Sequence, residues 1–445
     1  RGACDQQLRN WMQRRSGLWM ASTPTRVWKS LGRPMATRKC EVGLRFDGTM
    51  EQLWEGFGGG VSEMGWEALS SVRAAERARA LNTLFNHDEG CHLQYMRVPV
   101  GASTLALGDY CLDDTPNDLT MKQFSIARDK DRLIPFLRVP LLRIRRCKVI
   151  ASPWSPPAWM KEQAGQDCGR IIWNPMMLEA YALYLLRFVE EYRQVGVPIN
   201  HVMIQNEPGS GDRRPGCLWT GGQLRDFIRN HLGPLFSRKR GAPKIWLGAL
   251  DSPDYSAQAV TVLNDPKALQ FLAGVACQKG GEEILARIHK MFPDIQLMHS
   301  DCGVGDGQNT WEQAHATFGT VQRAIASGAN TCLYDNLIFP ANGRDLEGRG
   351  RNSLMVADRA GGTVVATPDY HVIRHFSGLV DRYAVRLGLE GAWACHAAAF
   401  YNEADESRVL VIQNPDPEDR RVVLEDRDRL LALPLSAHSF NTIVL

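Results

Sequence analysis

Eight short apolar or β-branched runs follow one another between about residues 41 and 380, and most are separated by segments with helical spacing. The runs are Leu53–Gly58, Tyr95–Gly101, Lys148–Trp154, His201–Glu207, Lys244–Asp251, Phe271–Gln278, Ile295–Asp301 and Thr331–Phe339. Leu178–Val195 shows the helical spacing most clearly, with apolar residues at intervals of three and four. Strands that alternate with helices form parallel sheets, and eight repeats predict an α/β fold of the (β/α)8 TIM-barrel type over residues 41–380.

The pattern changes near residue 380, where the helical spacing ends and short runs separated by turn residues begin. These runs are Ala397–Tyr401, Arg408–Asn414, Arg421–Leu424, Leu430–Leu435 and Phe440–Leu445. Short strands joined by turns are typical of antiparallel sheets. We therefore expect residues 381–445 to form an antiparallel β-sandwich module, built mainly from the C-terminus and associated with the barrel.

The first 40 residues carry several basic side chains among three tryptophans, without a persistent helical stripe. A segment that lies on a membrane surface would show such a stripe. We therefore expect residues 1–40 to be a poorly ordered extension. Transient contact with a membrane surface is the alternative.

Composition narrows the class of protein. A net charge of +3 and a pI near 8.3 are too mild to predict a nucleic-acid partner. The sequence has no run of about 18 apolar residues, so we expect no transmembrane segment. The eleven cysteines include no CxxC pair, which argues against a zinc site, and we expect neither a metal nor another cofactor. No signal peptide is visible, and the localisation stays open.

The fourth apolar run ends in Asn206-Glu207-Pro208, which places an amide and a carboxylate at a strand end. Pro208 has no N–H to donate to a neighbouring strand and therefore ends the strand. Catalytic groups of parallel barrels lie at the carboxyl-terminal ends of the strands. Asp301 ends the seventh run, so both carboxylates would lie on one rim, as the acid and the nucleophile of a glycosidase do. For Glu207 alone, an ordinary solvated strand end is the alternative.

Five strings occur in the order typical of glycoside hydrolase family 30, which includes glucosylceramidases, and the chain resembles that family. The strings are GFGG at 56–59, RVPVG at 97–101, SPWSPPAWMK at 152–161, QNEP at 205–208 and LSAHSFNT at 435–442. The resemblance extends from about Gly56 to Leu445. It implies a β-glycosidase that hydrolyses a glycolipid of the glucosylceramide type or a β-linked oligosaccharide. For some relatives it also implies a lysosomal or secreted enzyme.

The resemblance also implies roles for individual residues in a retaining mechanism. Glu207 would be the acid/base, and Asp301 falls on the position of the nucleophile. Asn206 would hydrogen-bond the sugar 2-hydroxyl. Arg97 would hold a carboxylate in its charged state, and Trp154 would offer a flat apolar wall to the sugar.

Several rim positions depart from the family pattern. Asp301 stands where the family usually has Glu, which withdraws the carboxylate by about 1.5 Å if the backbone stays in place. Retaining glycosidases hold their two carboxylates about 5–5.5 Å apart, and a withdrawal of this size would increase that separation beyond the retaining range. Thr104 takes the place of a family Asp, and Lys279 takes that of an aromatic residue. Asp335 takes the place of the Trp that precedes Asn336.

We predict that the substrate is bound by residues from both sides of the rim. They are Arg97, Trp154, Asn206, Thr104, Trp311, Asp335 and Asn336. Glu347-Gly348-Arg349 corresponds to a W-G-W string of the family, so a further aromatic surface is absent from the predicted mouth.

Two other hypotheses remain open. The changes at the rim are also expected of a barrel that binds carbohydrate or lipid but has lost most of its activity. A metal site made by Asp301, Asp306 and Asp335 is the other hypothesis. Solvated carboxylates are the simpler interpretation of these three residues, because no His–carboxylate ligand spacing accompanies them.

Overall fold

The computed structural model describes residues 17–38, 41–86, 90–163, 168–211, 215–251, 255–278 and 280–445. Eight parallel strands form a closed barrel, which confirms the predicted fold class. The barrel strands are Gly56–Gly60, Tyr95–Val100, Lys148–Pro153, His201–Met203, Lys244–Leu250, Leu272–Cys277, Gln296–His299 and Thr331–Tyr334. The eighth strand pairs with the first in register, Thr331 opposite Gly56, and this pairing closes the barrel.

Helices alternate with these strands and cover the outside of the barrel. They are Glu63–Ser70, Ala74–Phe85, Ala127–Asp131, Leu133–Arg143, Pro175–Gln194, Gly221–Phe227, Gly233–Ser237, Tyr255–Leu263, Pro266–Leu269, Glu282–Met291, Trp311–Ala326 and Pro368–Ser377. The helix Pro175–Gln194 shows how the sequence determines where a barrel helix begins. The side chain of Asn174 accepts the N–H of Met177, and Pro175 lacks an N–H where a helix has no acceptor for one. No helix in the described part of the chain is both long and apolar enough to cross a membrane.

A second, largely antiparallel sheet of ten strands confirms the predicted β module and draws on both ends of the chain. Its strands are Trp19–Thr23, Arg26–Gly32, Met35–Ala36, Leu44–Trp54, Ala384–Glu390, Ala397–Asn402, Ser407–Asn414, Arg420–Asp426, Arg429–Leu435 and Ser439–Val444. A separate apolar core lies within this sheet, and it includes Leu44, Leu410 and Ile443.

The expectation that residues 1–40 are poorly ordered is wrong for residues 17–38, which form three strands of the ten-stranded sheet. Trp19–Thr23 pairs with Ser439–Val444, and the side chain of Trp19 is buried. Residues 1–16 and 39–40 lie outside the described residues. Leu44–Trp54 was expected in the barrel and instead belongs to this sheet.

A small three-stranded sheet follows the last barrel strand and consists of Ile338–Pro340, Met355–Asp358 and Thr363–Ala366. The loop between its first two strands carries Arg351 and Asn352. The N–H of Leu346 in this loop donates to the carbonyl of Thr104 at 2.9 Å, so the loop is fastened to the mouth of the barrel.

Candidate active site

The fourth barrel strand ends at Met203, and the next four residues are fixed by neighbouring strand ends. The N–H of Asn206 donates to the carbonyl of Pro153 at 2.8 Å, and the N–H of Glu207 donates to the carbonyl of Ala249 at 2.9 Å. Glu207 has a φ of 51°, in the left-handed region that costs a non-glycine residue about 1–2 kcal/mol. Backbone strain of this kind is concentrated at functional sites, where the surrounding structure holds it in place.

A single buried guanidinium, that of Arg97, joins the ends of five barrel strands. Its Nη2 donates to Ser152 Oγ at 3.0 Å and also to Asn206 Oδ1. Its Nη1 donates to Asp335 Oδ1 at 3.1 Å and to the carbonyl of Ser300 at 3.4 Å. Arg97 therefore holds the residue before Glu207 and the residue before Asp301 at the same time.

Two residues beside Arg97 are oriented by it. The guanidinium lies over the ring of Trp154, 4.6 Å from the ring centroid, and the indole is buried. Asn206 Oδ1 accepts from Arg97 and, at 3.2 Å, from Gln278 Nε2. Because that oxygen accepts both donors, the amide nitrogen of Asn206 is the group available to donate to a sugar hydroxyl.

Asp301 follows the seventh barrel strand and is half-buried. Its carboxylate accepts the N–H of Gly303 at 3.3 Å. Burial raises the pKa of Asp301 to about 7, and the nearby carboxylate of Asp335 adds to the rise, against the opposing charges of Arg351 and Arg97. Asp301 therefore keeps its proton to a higher pH than an ordinary aspartate does.

A small pocket, with a cavity volume of about 50 Å³, opens beside Asp301. Thr104, Asp335, Asn336 and Arg351 are among the residues that line it with Asp301. Asn336 is buried, and its amide nitrogen donates to the carbonyl of Asn352 at 3.1 Å. The structure thus brings four sequence-predicted residues together on one side of the mouth. Glu207, Asn206 and Trp154 follow the third and fourth strands, and Arg97 connects the two groups.

Two other sequence-predicted residues lie elsewhere. The indole N–H of Trp311 donates to the carbonyl of His438 at 2.7 Å, and its ring packs on Phe440, so Trp311 contacts the β module. Asp306 is exposed and accepts from Gln313 Nε2 at 2.8 Å. Among the described residues, no group of three His, Cys, Asp or Glu side chains is placed to hold a metal ion. Lys279 lies outside the described residues.

Sequence reasoning missed Arg351, which lines the pocket. Its Nε contacts Asp345 Oδ2 at 2.7 Å, and its Nη2 contacts Glu347 Oε2 at 3.6 Å. The available signal was the order of charges from Asp345 to Arg351, where two acidic residues are followed by two arginines at every second position. That order predicts a loop held together by its own ion pairs, in the place where the family has its W-G-W string.

Comparisons with known proteins agree with this geometry. The lysosomal acid glucosylceramidase of Mus musculus is 24% identical over 406 residues, covering 85% of this chain and 78% of that protein. The endo-1,6-β-D-glucanase of Neurospora crassa is 26% identical over 404 residues, covering 84% and 81%. The crystal structure of SrfJ from Salmonella typhimurium shares the fold with a TM-score of 0.89 at 22% identity, covering 97% and 99%.

The family model described as the glycosyl hydrolase family 30 TIM-barrel domain matches residues 54–369. The match spans all eight barrel strands and extends into the helix Pro368–Ser377. On this match, the chain belongs to glycosyl hydrolase family 30.

Proposed function

We propose that the protein is a retaining β-glycosidase in which Glu207 is the acid/base and Asp301 is the nucleophile. In the first step Asp301 would attack the anomeric carbon while Glu207 donates its proton to the departing glycosidic oxygen. In the second step Glu207 would take a proton from water as that water displaces Asp301 from the sugar. Glu207 and Asp301 begin and end each cycle in the same protonation states.

The observation that carries the proposal is the guanidinium of Arg97, which binds Asn206 and the carbonyl of Ser300 together. Each of these groups immediately precedes one of the two carboxylates. A rigid connection between two catalytic groups matters, because a misplacement of about 1 Å can cost about a hundredfold in rate. The same guanidinium fixes Asn206 as a donor toward the sugar.

We infer that the substrate is a β-linked glucoside, either a glucosylceramide-like glycolipid or a β-linked oligosaccharide. The relatives named glucosylceramidase and endo-1,6-β-D-glucanase support this substrate class. Asp335 and Thr104 make the wall beside Asp301 polar, which suits hydroxyl groups better than an apolar sugar face. Hydrolysis of glucosylceramide in detergent and of a β-1,6-linked glucan would distinguish the two substrates.

The proposal predicts the behaviour of Glu207→Gln. With an alkyl β-glucoside, whose leaving group needs protonation, we expect kcat/KM to fall by about 10²- to 10⁴-fold. With an aryl β-glucoside that has an activated leaving group, the loss should be smaller. Proton NMR of the first product anomer from the wild type should show retention.

Asp306→Asn is a matched control, because Asp306 is an exposed carboxylate on the same rim and outside the pocket. It should leave kcat/KM within about twofold of the wild type. Equal losses on both leaving groups in Glu207→Gln would contradict the acid/base role. Product inversion would assign Asp301 the role of a base that activates water.

The second candidate function is a carbohydrate-binding barrel without useful turnover. The observation that favours it is the combination of a short side chain at Asp301 with a pKa near 7. It predicts no hydrolysis of any aryl β-glycoside by folded protein. It also predicts that Glu207→Gln leaves the Kd for a β-linked glucose disaccharide unchanged, as measured by calorimetry.

A further inference from the structure

We infer that Asp335 is a positioning residue that sets the charge state of Asp301, because it holds the Arg97 guanidinium and so deprives Asp301 of a direct cationic partner. The inference rests on the proposed function, in which Asp301 must be ionised to attack. It deepens that function by naming the residue that makes the reaction depend on neutral or alkaline conditions.

The first step of the argument is that Asp335 is fixed in place. A Cβ at Gly60, in the first barrel strand, would lie 1.9 Å from the carbonyl oxygen of Asp335, so only glycine allows this close approach. The side chain of Asp335 is 23% exposed and accepts from Arg97 at 3.1 Å. The carboxylate therefore points into the pocket and toward the guanidinium at once.

The second step is that Arg97 has little freedom to move toward Asp301. Its side chain is 1% exposed. Its two terminal nitrogens already donate to Ser152, Asn206, the carbonyl of Ser300 and Asp335. A shift toward Asp301 would leave buried acceptors without donors, at a cost that buried polar groups normally avoid.

The third step concerns the other cation of the pocket, Arg351. Its guanidinium contacts Asp345 at 2.7 Å and Glu347 at 3.6 Å. Within the part of the chain that the structure describes, neither Arg97 nor Arg351 forms an ion pair with Asp301 within 4.0 Å. Asp301 thus faces the carboxylate of Asp335, two cations already engaged elsewhere, the buried side chain of Tyr334 and the N–H of Gly303.

The consequence is a pH requirement. Burial and Asp335 raise the pKa of Asp301 to about 7. Each pH unit below the pKa lowers the ionised fraction of a carboxyl group about tenfold. Activity through Asp301 should therefore rise steeply between about pH 5 and pH 7, and it should be low in an acidic compartment.

Asp335→Asn tests the inference. The amide keeps an acceptor for Arg97 but removes the negative charge, so the guanidinium charge would act on Asp301 alone and the pKa of Asp301 should fall. We expect the acid-side midpoint of the kcat/KM profile, measured on an aryl β-glucoside from pH 4 to pH 9, to move down by at least about one unit. Relative to the maximum of each profile, activity at pH 5 should rise about tenfold.

Two controls accompany this variant. Asp335→Glu keeps the charge, and its midpoint should stay nearer to the wild-type value than that of Asp335→Asn. Asp306→Asn removes an exposed carboxylate from the same rim and should leave the midpoint unchanged. If Asp335→Asn is folded by circular dichroism and its midpoint does not move, the inference is wrong while the proposed function stands.

A direct titration of Asp301 distinguishes a failure of the proposed function from a failure of the inference about Asp335. The carboxyl signal of Asp301 can be followed by carbon-13 NMR in protein labelled at aspartate and assigned by comparison with Asp301→Asn. If the wild type shows no turnover but Asp335→Asn still lowers the titration midpoint of Asp301, the proposed function fails and the role of Asp335 stands. An Asp301 signal that titrates near pH 4 in the wild type would overturn the inference.

Discussion

At the scale of single residues, the proposed chemistry depends on the length of one side chain. Asp301 is one methylene shorter than the Glu that the family usually places there, a difference of about 1.5 Å in reach. The neighbours of Asp301 have changed with it, since Asp335 lines the pocket where the family has Trp. Changes at both Asp301 and Asp335 are what we expect of a pocket that has adapted to the shorter carboxylate.

This interpretation predicts the result of Asp301→Glu. The longer side chain would overshoot the anomeric carbon in a pocket arranged for Asp, and we expect kcat to fall by about a hundredfold on an aryl β-glucoside. Burst kinetics would show whether the glycosylation step is the one slowed. A large gain in kcat would contradict the interpretation and would show that the natural site is impaired at this position.

At the scale of elements, the sequence predicted the eight strands well and their ends less well. The run His201–Glu207 reads as a single strand, yet the ladder ends at Met203. The following residues bond instead through Gln205 Nε2 to the carbonyl of Trp154 and through the N–H of Asn206 to that of Pro153. Those partners are about 50 residues away along the chain, and local periodicity carries no information about them.

The same limit explains the other differences. Residues 17–38 lack a clear pattern because Arg26–Gly32 is mostly exposed, and the partner of Trp19–Thr23 lies at the opposite end of the chain. The family resemblance predicted that Arg97 holds a carboxylate, and in the structure its guanidinium donates to Asp335. The resemblance did not identify Asp335 as that carboxylate, because the family has no acid at this position.

The lower end of the barrel carries a buried polar network that is distinct from the candidate active site. Glu55 accepts from the hydroxyl of Tyr95, from Lys148 Nζ at 2.9 Å and from Gln296 Nε2 at 2.7 Å. Burial opposes the ionisation of Glu55, but these hydrogen bonds and the charge of Lys148 outweigh it and lower its pKa to about 2. The network therefore joins the starts of three strands around one carboxylate.

Glu55→Gln should destabilise the fold without altering the proposed catalytic groups. Removing one member of a buried ion pair leaves the other charge uncompensated, and we expect a loss of about 3 kcal/mol in urea denaturation at pH 7. Because the pKa of Glu55 is lowered from about 4.5 to about 2, its stabilisation is complete above pH 4.5 and disappears as the pH falls through 2. The difference between variant and wild type should accordingly shrink at pH 3.

Glu390→Gln is the matched control for this experiment. Glu390 contacts Arg45 at 2.5 Å, but both side chains are about half exposed, at 49% and 54%. Pairs of this kind contribute about 0–1 kcal/mol. A cost for Glu55→Gln no larger than that of Glu390→Gln would show that the buried network is not stabilising.

At the scale of the whole molecule, one face of the β module packs into the core of the barrel, while its other face has the separate core that includes Leu44 and Leu410. The last strand, Ser439–Val444, lies beside Trp19–Thr23 and packs on the barrel helices. The buried ring of His375, on the helix Pro368–Ser377, bonds the hydroxyl of Ser22 at 2.8 Å and that of Thr442 at 2.9 Å. The two ends of the chain are thus joined to each other and to the barrel at the same place.

Phe440 is the side chain that should reveal whether the two parts unfold together. It is fully buried and packs against Trp311, His315 and Phe318, all on one barrel helix, with ring centroids 5.1, 4.6 and 5.8 Å away. Phe440→Ala should cost about 3–5 kcal/mol. Because the core is continuous, we expect activity, which reports on the barrel, and far-ultraviolet circular dichroism to be lost in coincident transitions at a lower Tm.

Leu142→Ala serves as the comparison, because Leu142 is 87% exposed and its truncation should change stability by no more than about 0.5 kcal/mol. If Phe440→Ala produced two separate transitions, with activity lost at the wild-type temperature, the β module would be unfolding alone. The last strand would then be an attachment rather than part of the barrel's own core. A single shifted transition instead means that the β module stabilises the rim that holds Glu207 and Asp301, although it supplies neither residue.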